Sequence, residues 1–75
     1  MTNEKFLLAL GKRIKEARAI NGFSQEEIAF RALISTQYLS QIERGKRNIG
    51  ILNLKKIAKA LNIELWELIP DIKKL

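Results

Sequence analysis

The chain has 75 residues, a formal net charge of +6 and neither cysteine nor histidine. That length allows one domain with a thin core, which buries only about 60% of the surface its unfolded chain exposes. The missing cysteines exclude a disulfide framework and any thiolate metal site, and the missing histidines remove the commonest general base and nitrogen ligand.

Apolar residues make up 47% of the chain, too many for a disordered segment. No apolar run approaches the roughly 20 residues that span a bilayer. The opening stretch MTNEKFLLALGKR starts with an acid and carries only a short apolar core, unlike a signal peptide. A cytoplasmic protein without membrane contact is the expectation. The bases are unevenly placed: Arg44, Lys46, Arg47, Lys55, Lys56 and Lys59 follow one another with no acid between. A cluster of one sign on a small domain favours a polyanionic partner.

The hydrophobic period is helical throughout. Leu7, Leu10, Ile14 and Ala17 step by three and four, which predicts a first helix over residues 3–20, ended by Asn21-Gly22. A second helix is predicted over 24–32. Ser24 and Glu27 fit a capping box, and Phe23 and Ile28 occupy the two staple positions. A third, over 35–44, starts with Ser35 as N-cap, repeats the staple with Ile34 and Leu39, and ends at Gly45. Leu54, Ile57, Ala58 and Leu61 share one face of a fourth helix over 51–61, which Gly50 caps less well than serine would. A short fifth helix over 64–69 stops at Pro70, leaving a frayed tail over 71–75. The expected fold is therefore all-α: five short helices in one compact domain covering 1–75.

Only Leu33 and Ile34 separate the second and third helices, and so short a connection forces a sharp angle, the helix-turn-helix geometry. In that motif the second helix lies in the DNA major groove. At about 100° per residue, Thr36, Gln37, Ser40, Gln41 and Arg44 fill one arc of the third helix, while Tyr38, Leu39 and Ile42 fill the other. Lysine and glutamate would serve solubility better than this uncharged arc. Glutamine pairs bidentately with adenine, and serine or threonine meets several bases or a thymine methyl, so the arc suits base edges. Glu43 falls on the border between the two arcs, where a free carboxylate would repel phosphate and lose hydration.

Two stretches, GFSQEEIAFRALISTQYLSQIERGKRN (22–48) and LKKIAKALNI (54–63), resemble the helix-turn-helix domain of the Cro/CI repressor (XRE-like) family. The likeness runs from about Leu10 to Leu68 and implies a lambda-repressor-like, DNA-binding domain. It implies that Thr36, Gln37 and Gln41 face bases. By the same likeness, Gln25 bonds a phosphate and steadies the recognition helix. Ser35 and Ser40 sit beside the backbone or at the edge of the reading face, Arg44, Lys46 and Arg47 form a phosphate-contacting turn, and Tyr38 either offers its hydroxyl to a phosphate or serves as a partly buried core aromatic. It further implies that Glu43 is a buried acid paired with Arg18 of the first helix.

Three positions depart from the family's pattern. Leu33 stands where the turn usually has glycine, and a left-handed leucine costs roughly 1–2 kcal/mol, which a rearranged turn would avoid. Ile49 and Gly50 replace the proline and hydroxyl residue that often precede the fourth helix. Phe30 falls on a usually polar face.

The expected function is a sequence-specific regulator of transcription that binds double-stranded DNA and acts by promoter occupancy, as phage repressors, restriction-modification controllers and antitoxins do. No catalysis, cofactor, metal or small-molecule ligand is expected. Leu65, Trp66, Leu68, Ile69 and Ile72 are more apolar than one terminal helix needs and are the candidates for a homodimer interface. A dimer would read two half-sites about 34–36 Å apart. The alternative is a helical protein-interaction module that binds no DNA. It accounts for the apolar C-terminal stretch but not for the polar arc beside basic residues.

Overall fold

The computed structural model describes residues 2–71 and 73. Four α-helices follow one another: α1 (Asn3–Ile20), α2 (Gln25–Ala32), α3 (Thr36–Glu43) and α4 (Ile51–Ala60). The expected fifth helix is instead a single 3-10 turn, Leu65–Leu68. Six residues closed off by Pro70 offer too few hydrogen bonds to offset an α-helical nucleus. Among the described residues, no helix is long and apolar enough to cross a membrane.

The helix starts follow local chemistry. Thr2 Oγ1 accepts from the Lys5 backbone N–H at 3.1 Å, and Ser35 Oγ accepts from that of Tyr38 at 3.0 Å. At α2 the capping box is complete: Ser24 Oγ accepts from the Glu27 N–H at 3.1 Å, and Glu27 Oε1 accepts from the Ser24 N–H at 2.9 Å. These bonds to Ser24 hold the Glu27 carboxyl below its usual range. Gly50 gives α4 no side-chain cap.

All four helix ends use one device. A left-handed residue closes each: Gly22 (φ 72°), Gly45 (φ 70°) and Asn62 (φ 58°) directly after the caps of α1, α3 and α4, and Leu33 (φ 59°) as the cap of α2 itself. The next backbone N–H reaches back five residues in each case, Phe23 to Arg18 O, Ile34 to Ala29 O, Lys46 to Gln41 O and Ile63 to Ala58 O, at 2.9–3.0 Å. This is the Schellman pattern, which satisfies the orphan carbonyls of the last turn. The turn between α2 and α3 is thus not rearranged; Leu33 simply adopts the conformation that glycine would take more cheaply. Its side chain projects outward, 81% exposed.

One face of every helix meets in the centre. Leu10 and Ile14 of α1, Ile28, Ala29 and Ala32 of α2, Leu39 and Ile42 of α3, and Leu54, Ile57 and Ala58 of α4 form the core with Leu61 and Leu68. Leu68 is fully buried, and Leu65 is half-buried and packs against the same core. Gly11 lets α1 approach the last turn of α3. A Cβ there would run into the carbonyl oxygens of Ile42 and Glu43, the second at 2.6 Å.

A buried polar contact ties three helices together. Glu43, at the end of α3, has a side chain only 2% exposed. Arg18 of α1 donates to both of its oxygens, Nε to Oε2 at 2.8 Å and Nη2 to Oε1 at 2.9 Å. Gln25, the first residue of α2, adds Nε2 to Oε1 at 3.0 Å. The remaining arm of Arg18, Nη1, donates to the Phe23 carbonyl at 2.9 Å. Bonding to Glu43 holds the guanidinium above its ordinary pKa.

Two measurements check this account. Leu33→Gly relieves a left-handed side chain without removing core contacts, so chemical denaturation should show a gain of about 0.5–1 kcal/mol, the strain relieved less the added unfolded-state entropy. Glu43→Ala removes a buried carboxylate and leaves the part-buried Arg18 guanidinium without its partner, and should cost up to about 3–5 kcal/mol. A melting temperature unchanged in that variant would mean the pair adds nothing.

Candidate nucleic-acid interface

The apolar spacing of α3 fixes which flank it turns outward. Leu39 and Ile42 are buried and Tyr38 is half-buried; Thr36 and Gln37 are exposed, and Ser40 and Gln41 are partly so. The amide and hydroxyl groups therefore line an open flank of the helix, with Ser35 exposed at its start and Arg44, Lys46 and Arg47 exposed beyond its end. Gln25 lies half-buried at the start of α2, with its amide turned to Glu43. Pairing with Arg18 neutralises Glu43, the one acid on α3, so it presents no bare carboxylate beside this flank.

The side chains on this flank are not independent. Arg47 Nη1 donates to Gln41 Oε1 at 3.1 Å. The same guanidinium lies over the Tyr38 ring, 5.0 Å from its centroid, an attraction between cation and ring face. Asn53 of α4 donates through Nδ2 to the Tyr38 hydroxyl at 3.2 Å, which leaves the phenolic hydrogen for another acceptor. These groups, with Ser35 and Gln37, line a polar concavity of about 500 Å³. Arg44 reaches back only weakly, Nε to the Ser40 carbonyl at 3.4 Å.

Arg47 borders the concavity on α3, whereas Lys55 and Lys59 line a separate depression with Glu64 and Glu67. Sequence reading missed Asn53 and Gly11. A polar residue in the apolar stretch ILNL (51–54) was the only available sign of the first, and nothing local marks the second. Of the dimer candidates, Trp66 is 72% exposed and Ile69 36%; Ile72 lies outside the described residues. Ile69 shares an apolar groove of about 370 Å³ with Phe6, Leu7 and Ile51. Phe30 is 81% exposed.

Known proteins are similar in both sequence and fold. The chain is 39% identical over 70 residues to the control protein C.BamHI of Bacillus amyloliquefaciens, covering 92% of this chain and 85% of the relative. The crystal structure of the restriction-modification controller protein C.AhdI from Aeromonas hydrophila matches with a TM-score of 0.83 at 41% identity, over 84% of this chain and 96% of that one. The structure of SinR, a master regulator for biofilm formation, in complex with DNA matches with a TM-score of 0.75 at 37% identity, over 79% and 95% of the two chains. A family model for helix-turn-helix proteins, HTH_3, matches residues 14–68, from the middle of α1 through the 3-10 turn. With α2, its three-residue turn and α3 inside that match, the chain belongs to the XRE-like helix-turn-helix family.

Proposed function

We propose that the protein is a sequence-specific regulator of transcription that binds double-stranded DNA and acts by occupying a promoter. The single observation that carries this reading is the open flank of α3, rich in amides and hydroxyls and followed by exposed bases. In this reading α3 enters the major groove. Thr36, Gln37 and Gln41 meet base edges, while Ser35, Tyr38, Ser40, Arg44, Lys46 and Arg47 hold the flanking phosphates. Gln25 retains one amide hydrogen beyond its bond to Glu43 and reaches the same backbone. No chemical step is required of any residue. A cytoplasmic setting follows from the partner.

Near full-length similarity to two controllers of restriction-modification systems favours that role over a phage repressor or an antitoxin. One α3 reads only a few base pairs, so affinity calls for a second copy on a (pseudo)palindromic site. Trp66, Ile69 and the neighbouring Ile51 offer exposed apolar surface for that contact. Leu65 and Leu68 support it from beneath.

Duplex titration at two salt concentrations tests the DNA reading. Binding through phosphates must weaken steeply as salt rises. Gln37→Ala should cost about 1–3 kcal/mol at the preferred site and relax base choice there. Lys46→Ala should weaken all duplexes alike and flatten the salt slope by about one unit. Identical behaviour of the two variants would mean the faces of α3 are wrongly assigned. For the dimer, sedimentation from about 1 to 100 µM should show mass rising toward twice the monomer; a constant monomer mass over that range removes the second copy.

A further inference from the structure

The guanidinium of Arg47 sits between two groups of the reading flank. It stacks over the Tyr38 ring at 5.0 Å and donates to Gln41 Oε1 at 3.1 Å. Tyr38 is itself held, since Asn53 Nδ2 donates to its hydroxyl at 3.2 Å. Asn53 on α4 thus anchors Tyr38, Tyr38 supports Arg47, and Arg47 takes hold of Gln41. All four line the same polar concavity.

A guanidinium carries donors and no acceptor, so Gln41 can turn only its oxygen toward it. The amide nitrogen, with two hydrogens, is left on the side away from Arg47. A glutamine free of such a partner can rotate its amide and offer oxygen and nitrogen in either order, and bidentate pairing with adenine uses both atoms. Gln41 has lost that choice. The nearby positive charge also draws on its carbonyl oxygen and disfavours a second donor beside it.

We propose that Arg47 is a positioning residue that determines specificity, holding Gln41 as a donor-only reader. Gln41 then favours edges that offer it acceptors alone, guanine N7 and O6 or thymine O4, over adenine, which has a single acceptor at N7 and sets its N6 donor beside it. This goes beyond a phosphate contact for Arg47 and rests on the DNA-binding reading above. Because Asn53 and Tyr38 set where Arg47 sits, base choice at this position is partly written on α4, outside the recognition helix.

The test is selection from a randomised duplex pool with the wild-type protein and with Gln41→Ala, Arg47→Met and Lys46→Ala. Methionine keeps an apolar stem against Tyr38 but removes the charge and the donors. The wild type should prefer guanine or thymine at one position, and Gln41→Ala should erase that preference. At the same position Arg47→Met should shift the choice toward adenine by about tenfold, whereas Lys46→Ala should lower affinity and leave the profile unchanged. An Arg47→Met variant that binds every duplex more weakly with an unaltered profile overturns the proposal, as does adenine chosen by the wild type at the Gln41 position. Failure of the wild type to bind any duplex in the pool is a different result, which removes the DNA reading itself.

Discussion

The carboxylate of Glu43 is where three helices are made to agree. Arg18 arrives from α1, Gln25 from α2, and the acid itself closes α3. Apolar contact through Leu39 and Ile42 would hold α3 against the core, yet such contact has no direction and tolerates small slides and rotations. A bidentate pair of guanidinium and carboxylate does not. Reading a base edge needs side chains held within about 0.5 Å and 10–20° of the right geometry, which packing in a domain this small supplies poorly. Gly11 is the steric half of the same arrangement. Only a residue without a Cβ lets α1 come close enough to the carbonyls of Ile42 and Glu43, and that approach places the last turn of α3 against α1. The ion pair alone is weak evidence for stability, since desolvating two charges is costly; what its two bonds at 2.8 and 2.9 Å add is direction.

Economy at the helix ends follows from the same small size. Short helices have a large share of their carbonyls in the last turn, and each one left without a partner is a loss that a thin core cannot absorb. Four repeats of one left-handed ending satisfy them with backbone alone. Glycine serves at two of these ends and asparagine, which tolerates the conformation, at a third. The leucine at the fourth is the strained one, and it lies in the turn that sets α3 against α2. The bonds from Leu33 and Ile34 back into α2 over-determine that conformation, so the turn keeps its shape despite the side chain.

The boundaries of α1 to α4 were legible because their signals are local. Ser24 with Glu27, Ser35 after Ile34, and Gly22 and Gly45 act within one turn of the chain, so reading a few residues suffices. The segment from Glu64 to Ile69 misled because its apolar residues fit a helical period while its length does not support a helix. The exposed flank of α3 was also legible, since a regular helix converts spacing directly into direction. What spacing cannot supply is the neighbour. Gly11 gains its meaning from carbonyls more than thirty positions away, and Asn53 from the Tyr38 hydroxyl.

That dependence on neighbours bears on how a recognition helix is to be understood. If the outward side chains of α3 acted alone, their identities would be enough to infer the bases they prefer. Gln41 does not act alone, because its oxygen is already engaged by Arg47. Arg47 in turn rests on a ring fixed from α4. In the proposed reading, a residue that looks like a simple source of positive charge thereby enters the choice of base, and affinity and specificity, usually assigned to phosphate and base contacts respectively, are joined in one side chain. The consequence reaches any relative with the same amino acids on its recognition helix. Where the residue after the helix lacks a guanidinium, or the fourth helix lacks an anchor for the ring beneath it, an identical glutamine is free to turn its amide and read a different edge.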